Sequence, residues 1–356
     1  MKFDSGQGPG VAEITAQRSR RPWWSWGGAG IGIALLAIVL WRIDYQRFGE
    51  ALAAARVEYL ALVPAAIMLE QLVRAWKWRQ ILYPLGRVAT PRLFGAIMAG
   101  YLGSLLIPFG VSPLLRSWLI ARLEGLRMSA VLATVAIDRL IDGVVFAFLA
   151  ALVLALAVFP DPSGRLRIGL AVGAAGSLAL FAALLWLLAR HKRGMADPAS
   201  RLQRLISRLP SWLAGRTRPL LASFADGTVW PSASWRRFAI VLSSIAIKLI
   251  AATHFLWAGL AFGVVLRPLD YLFLIVFLGF LVILTHFARL AGGFIIGAIF
   301  ALGLFGIGEE TALAMVLAVQ IGSLSSVAAI GAFALWRNGI ALGDLQNLRA
   351  RTDDGG

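Results

Sequence analysis

The chain has 356 residues, of which 59% are hydrophobic and 15% are charged, and its mean hydropathy is +0.79. A soluble domain is about half apolar and about a quarter charged, so this composition indicates an integral membrane protein. The sequence has no cysteine and three histidines, which argues against disulfides, a cysteine nucleophile and metal clusters. We therefore expect no metal and no cofactor. The net charge of +16 favours cationic cytoplasmic loops over nucleic-acid binding.

Several apolar runs are long enough to cross a membrane, which takes about 20 residues of helix. Runs without any charged residue or histidine are 22–41, 93–115, 143–160, 168–189, 290–308 and 311–336, and runs with at most a few such residues are 59–73, 238–266 and 271–285. The first run follows a basic segment, as a signal peptide would, but no small-residue cleavage site follows closely. We therefore predict that it remains as the first span.

The distribution of basic residues predicts the orientation of the spans. Segment 74–92 and loop 190–237 are rich in arginine and lysine, and short loops of this kind stay in the cytoplasm. Both termini are then cytoplasmic as well. The connections that are mixed or acidic, and so predicted to face outward, are 42–58, 161–167, 267–270 and 306–310.

This alternation works only if residues 93–121 and residues 271–305 each enter and leave the membrane on one side. The helix breaks that would allow this are Pro108, Gly110 and Pro113 in the first stretch, and Gly292 and Gly293 in the second. The predicted fold is an all-α polytopic bundle of about six full spans plus two re-entrant helix pairs. Its second half repeats the first in reversed direction, as in transporters built from inverted repeats. The alternative is that both stretches are plain spans and the loop limits are shifted.

The parts of the chain outside the membrane are short. We predict a basic cytoplasmic N-terminus over 1–26, a transmembrane domain over 27–337 and a cytoplasmic tail over 338–356. Residues 194–235 place apolar side chains on one helix face opposite arginines, which is typical of a helix lying on anionic inner-leaflet lipids. Tryptophans near the predicted span ends, expected as interfacial anchors, are Trp23, Trp24, Trp26, Trp41, Trp76, Trp78, Trp230, Trp235 and Trp336.

Ionisable residues within the spans are the candidates for function, because each costs about 2.5 to 3.5 kcal/mol at a helix centre. Four groups meet this criterion. They are Glu70 with Arg74 and Lys77; Arg116; Asp138 with Arg139 and Asp142; and Lys248 and His254 with His286 and Arg289. In the first and third groups, spacings of three and four residues place the charges on neighbouring rows of one helix.

Each group also has a structural interpretation. Arg74 and Lys77 could extend to the cytoplasmic interface, where long basic side chains reach water. The Asp138–Asp142 segment could lie at a helix end. Lys248 is nearer the middle of a span, so we expect it to face a cavity or a carboxylate partner.

Three segments resemble a known family. They read RAWKWRQIL at 74–82, GYLGSLLIPFGVSPLLRSWLIARLEGL at 100–126 and ATVAIDRLIDGVV at 133–145. The sequence is similar over about 57–337 to the lysylphosphatidylglycerol synthase transmembrane, or flippase-like, family of bacteria and archaea.

The resemblance is partial at the charged motifs. The family's middle motif has a proline, glycines and Gly-Glu before an arginine, and the next has Glu-Arg followed by Asp. The matching positions are Pro108, Gly110, Arg116, Arg139 and Asp142, and the differing ones are Ser112, Pro113 and Asp138. Of a C-terminal Gly-Gly-x-Gly-x-Arg-Glu motif, Gly292 and Gly293 are present, while Gly297 and Ala298 stand where Arg and Glu are usual.

The resemblance implies a membrane-embedded domain that translocates lipids, since in this family an aminoacylated phosphatidylglycerol is moved outward. The soluble aminoacyltransferase domain found in such proteins is not in this sequence, so we expect neither a complete synthase nor catalytic residues. Our hypothesis is a bacterial inner-membrane transporter of a phospholipid or lipid-linked head group. The expected binding residues are Arg74, Arg116 and Arg139 for a phosphate, Asp138 and Asp142 for orienting these cations or receiving a cationic head group, and Lys77 and Lys248 beside them.

Two other functions are consistent with the sequence. One is a membrane-embedded transferase acting on a lipid-linked donor, with Asp138 or Asp142 as general base. The other is a non-catalytic membrane subunit that binds a soluble lipid-modifying enzyme through its basic inner face. Motifs of soluble enzymes, such as a nucleophile elbow or a P-loop, are not found.

Overall fold

The computed structural model describes residues 34, 37–38, 40–106, 111–156, 161, 164–194, 231–288 and 292–339, and for 106, 111, 184–185, 187–194 and 283–288 it describes the backbone alone. Across these ranges the regular structure is helical, with no β-strand. The prediction of an all-α protein is therefore confirmed. The predicted N-terminus (1–26), three quarters of the first span (22–41) and nearly all of the tail (338–356) lie outside these ranges.

The described helices differ mainly in length. In chain order they are α1 Tyr45–Ala53, α2 Val57–Leu82, α3 Thr90–Leu106, α4 Val111–Glu124, α5 Met128–Leu156, α6 Arg165–Gly194, α7 Ser234–Ala261, α8 Pro268–Ala288, α9 Gly293–Gly303 and α10 Glu309–Arg337. Five of the described helices, α2, α5, α6, α7 and α10, are long and apolar enough to cross a membrane. The protein is thus a multi-pass membrane protein.

Glycines end two of these helices in the same way. Gly125 follows α4 with a φ of 64°, and Gly263 follows α7 with a φ of 72°. In each case the next residue donates its backbone N–H back to a carbonyl five residues earlier, from Leu126 to Ala121 and from Val264 to Gly259. This is the Schellman geometry, which requires a left-handed residue and therefore favours glycine.

The helices α3 and α4, and likewise α8 and α9, follow one another and pack together as hairpins. α4 has 14 residues and α9 has 11, so they extend about 21 Å and about 16 Å, less than the hydrocarbon layer of about 30 Å. Gly100 lets α3 approach α4, because a Cβ there would lie 3.0 Å from the Ser112 carbonyl oxygen.

The predicted breaks fall at or beside the ends of these hairpin helices. Pro113 lies in the first turn of α4, and Gly292 precedes α9 in a left-handed conformation with a φ of 73°. Gly293 is the first residue of α9. Pro108 and Gly110 lie outside the described residues.

The centre of the bundle is the pair α2 and α7, which pack along each other. α3 packs against both α2 and α10, and α8 packs against both α7 and α5. Apolar clusters fill the contacts, with Trp78 and Ile97 in the first, Phe255 and Met315 in the second, and Phe273 in the third. α6 packs on α5, and over Arg165–Ala183 it is apolar and mostly exposed, as expected of a helix that contacts lipid.

Of the five predicted tryptophan anchors that the structure describes, four are exposed. Trp41, Trp235 and Trp336 are exposed near helix ends, and Trp76 is 37% exposed. The prediction was wrong for Trp78, which is completely buried. Its indole N–H donates to the Thr134 hydroxyl at 3.0 Å, because position 78 is on the buried face of α2. The remaining four predicted anchors, and most of the 194–235 segment, lie outside the described residues.

Candidate functional site

One face of α2 carries polar residues into the interior of the bundle. Glu70, Gln71, Arg74 and Lys77 are all buried, and Lys77 is fully so. Their spacings of three and four residues place them on one side of the helix. Arg74 and Lys77 therefore do not extend to the interface, and the interpretation of these residues as interfacial cations is wrong.

Arg74 joins two carboxylates. Its Nη2 lies 2.6 Å from Glu70 Oε1, one turn earlier on α2, and its Nη1 lies 3.2 Å from Asp142 Oδ2 on α5. The Glu70–Arg74 pair is the one that the sequence spacing predicts. Because each terminal nitrogen of the guanidinium faces a carboxylate, Arg74 holds α2 and α5 together at this level.

Lys77 lies one turn further along α2 and joins three helices. Its Nζ is 2.6 Å from Asp138 Oδ1 and 2.6 Å from Asp142 Oδ1 on α5, and it donates to the Ser244 hydroxyl on α7 at 3.1 Å. Lys77 thus forms hydrogen bonds to Asp142 and Ser244 and an ion pair with Asp138, which joins α2 to α5 and α7.

Arg116 of α4 lies behind this group. Its Nη2 is 3.9 Å from Asp138 Oδ2, and its guanidinium carbon is 5.2 Å from the centre of the Trp78 ring. Arg116, Arg74 and Lys77 thus face three carboxylates, those of Glu70, Asp138 and Asp142. We call these six residues the ion network. It carries equal positive and negative charge, which is what permits its burial.

A cavity of about 670 Å³ lies beside the ion network, near the middle of the long helices. Its ionisable lining residues are Glu70, Arg74, Arg139, Asp142, Lys248 and His254. Its apolar wall includes Phe146, Phe181, Phe255, Leu278, Phe294 and Val319. The lining thus combines charged and aromatic side chains, contributed by α2, α5, α6, α7, α8, α9 and α10.

Two cations in the cavity stand outside the ion network. Arg139 is exposed, and Lys248 is half-buried with its Nζ 5.6 Å from the centre of the Phe146 ring. No carboxylate of the described residues lies within ion-pair distance of either one. Lys248 was expected to face a cavity or a carboxylate partner, and in the structure it faces the cavity.

His254 lies on the wall formed by α7. Its Nε2 is 3.5 Å from Glu70 Oε2. Glu70 is therefore bounded by Arg74 on one side and by an imidazole on the other. Within the described residues, no group of three His, Asp or Glu side chains could hold a metal ion.

The structure separates the predicted binding residues into two layers. Those that line the cavity are Arg74, Arg139, Asp142 and Lys248, and those that lie behind it are Lys77, Arg116 and Asp138. Asp142 pairs with Arg74 and Lys77 of α2, and Asp138 pairs with Lys77 and, at 3.9 Å, with Arg116 of α4. Arg139 pairs with neither, although it lies between them in the sequence. The assignment of these residues to substrate binding stays a prediction. The side chains of His286 and Arg289 lie outside the description.

Sequence reasoning missed some polar residues of the cavity. Gln71 and Gln320 both line it, as do Ser177 and Ser323. A glutamine inside an apolar run was a usable signal, because an amide in a span needs a partner or a cavity. The serines give no such signal, since a serine hydroxyl can bond to the carbonyl of its own helix.

A comparison with protein families matches residues 25–331 to a family model described as "Lysylphosphatidylglycerol synthase TM region". The matched segment contains every residue of the ion network and the whole cavity lining. No curated protein and no solved structure shows a significant match.

Proposed function

We propose that this protein, which belongs to the lysylphosphatidylglycerol synthase transmembrane-region family, moves a phospholipid or a lipid-linked head group across a membrane. The observation that carries this proposal is the cavity, which combines charged and aromatic lining residues at mid-height in the bundle. Buried ionisable groups in membrane spans generally mark a substrate path. The same combination suits a lipid, which has a polar head and apolar chains.

The size of the cavity supports a head-group site. About 670 Å³ lies within the range of roughly 300 to 1,000 Å³ that holds small ligands. A head group with its glycerol fits this volume, whereas two long acyl chains do not. The chains would lie along Phe146, Phe181 and Leu278 and continue into the bilayer beside the lipid-exposed helix α6.

The packing supports an inverted repeat with alternating access as the transport mechanism. If α2 corresponds to α7, the hairpin α3–α4 corresponds to α8–α9, and α5 corresponds to α10. Each hairpin then packs against the other repeat's last helix, α3 on α10 and α8 on α5. The cavity lies between these units, and movement of one repeat against the other would expose it to each side in turn.

The proposed location is a bacterial inner membrane with both termini in the cytoplasm. The support is the basic composition of 74–92 and of 190–237, compared with the acidic start of α10 at Glu309 and Glu310. In this orientation the turn between α7 and α8 is external, and the first hairpin enters from the cytoplasm.

Translocation of acyl-labelled phospholipids in proteoliposomes tests the proposal. Ser323→Trp places an indole in the cavity without removing an ionic group, whereas Ser325→Trp places one on an exposed surface of the same helix. We expect wild type and Ser325→Trp to move lipid, and Ser323→Trp to reduce the rate about tenfold or more.

The proposal is contradicted if folded wild type moves no lipid, or if both tryptophan variants behave alike. Mass spectrometry of the same vesicles checks the transferase alternative. A new lipid product formed from a lipid-linked donor would indicate a transferase.

A further inference from the structure

We propose that the head group bound in the cavity is anionic, and that Arg139 of α5 and Lys248 of α7 bind its phosphate. This inference rests on the proposed function and specifies its substrate class. It excludes the alternative in which Asp138 and Asp142 receive a cationic head group. Its basis is the charge that remains in the cavity after the protein's own ion pairs are formed.

Among the described residues, each carboxylate that lines the cavity already faces a cation of the protein. Glu70 lies 2.6 Å from Arg74, and Asp142 lies 2.6 Å from Lys77 and 3.2 Å from Arg74. Asp138 is fully buried behind the cavity, with Lys77 at 2.6 Å. A cationic head group would have to displace one of these cations and leave it buried without a partner, which is costly.

Two cations remain available to an anion. Arg139 and Lys248 line the cavity, and neither has a carboxylate of the described residues within 4 Å. The Phe146 ring near the Lys248 ammonium supplies only a weak cation–π contact at 5.6 Å. A half-buried ammonium beside an aromatic ring gains more from an anion than from that ring.

The chemistry of the pair suits a phosphodiester. A guanidinium can bind two phosphate oxygens side by side, and an ammonium adds a point charge from another direction. Arg139 and Lys248 belong to different proposed repeats, so a bound phosphate would link the two. Among the described residues that line the cavity, His254 is the remaining titratable group, and its protonation would add positive charge without creating a site for cations.

Head-group selectivity is the decisive measurement. Proteoliposomes containing the full chain are loaded with acyl-labelled phosphatidylglycerol, phosphatidylcholine or lysylphosphatidylglycerol, which are anionic, zwitterionic and cationic. We expect phosphatidylglycerol to move about tenfold faster than the lysylated lipid. A lysylated lipid that moves equally fast or faster overturns the inference and leaves the transporter proposal intact. If no lipid moves, the transporter proposal itself fails.

Charge reversal at Lys248 tests whether this residue determines the head-group selectivity. Lys248→Glu should reduce phosphatidylglycerol transport about tenfold and raise the relative rate of the lysylated lipid, while Lys248→Arg should keep the wild-type preference. The matched control is Arg79→Glu, which makes the same charge change on an exposed face of α2. Unchanged selectivity in Lys248→Glu would overturn the assignment.

A binding measurement on the wild type does not depend on how any variant folds. Short-chain phosphatidylglycerol should raise the thermal unfolding temperature in neutral detergent, and added salt should diminish the effect. The lysylated analogue should raise it less. Equal shifts for both lipids would contradict an anion-selective site.

Discussion

At the scale of single residues, the position of a charge relative to the cavity separates structural ions from candidate ligands. Lys77 is fully buried, forms ion pairs with Asp138 and Asp142, and donates a hydrogen bond to Ser244. Lys248 faces the cavity and has no carboxylate among the described residues within ion-pair distance. Two lysines that both lie within spans thus have different surroundings, one among carboxylates and the other at the cavity.

The structural role of Lys77 predicts a large effect on stability. Lys77→Met leaves two carboxylates without their nearest cation, and breaking a buried pair in this way costs about 3 to 5 kcal/mol. Arg79→Met, on the exposed face of the same helix, should cost less than about 1 kcal/mol. Thermal unfolding in detergent measures the difference.

A second substitution tests the cause. Lys77→Met combined with Asp138→Asn should recover part of the lost stability, because it removes one of the unpaired charges. If Lys77→Met and Arg79→Met lower the unfolding temperature equally, the ion network does not have the stabilising role assigned to it.

At the scale of helices, glycines determine how closely the hairpins approach the long spans. A Cβ at Gly331 of α10 would lie 2.8 Å from the Met98 carbonyl oxygen and 2.8 Å from the Leu102 Cβ of α3. Small residues at such crossings are the usual means of close packing in membranes. Gly176 of α6 is a useful contrast, because a Cβ there would meet no atom within 4 Å.

This contrast gives a matched pair of substitutions. Gly331→Ala must push α3 and α10 apart, since the contacts include backbone, and we expect a loss of about 1 to 3 kcal/mol. Gly176→Ala should be neutral or stabilising by up to about 1 kcal/mol, because alanine restricts the unfolded chain. Thermal unfolding of both variants in the same detergent is the measurement, and equal losses would contradict close packing at Gly331.

At the scale of the whole molecule, the two hairpins should enter the membrane from opposite sides. Ala89 and Met128 flank the first hairpin, Val265 and Glu309 flank the second, and all four are exposed. The proposed inverted repeat requires each pair to face one side, and the two pairs to face opposite sides.

The absence of cysteine makes this directly testable, because each of the four positions can carry the only thiol of the chain. We expect Ala89→Cys and Met128→Cys to react with an impermeant maleimide from the cytoplasmic side. Val265→Cys and Glu309→Cys should react from the other side. Labelling of Ala89→Cys and Met128→Cys from opposite sides would show that 93–121 is a plain span.

Much of the fold was predictable from local sequence. Apolar runs of sufficient length identified the spans of α2, α5, α6, α7 and α10, because a helix is the arrangement that satisfies its own backbone in lipid. The burial of Trp78 could not be predicted in this way. Its position near the end of a span is typical of an interfacial anchor, and only the packing of α2 against α5 shows that its indole is buried.

For the candidate site, the sequence by itself determined which charges enter the membrane and which of them share a helix face. It identified the Glu70–Arg74 pair, because that contact depends on helical spacing alone. Only the tertiary structure decided that Asp138 and Asp142 pair with Lys77 and that Lys248 is left facing the cavity. Those contacts join residues more than 60 positions apart, and their formation depends on how helices pack rather than on any local pattern.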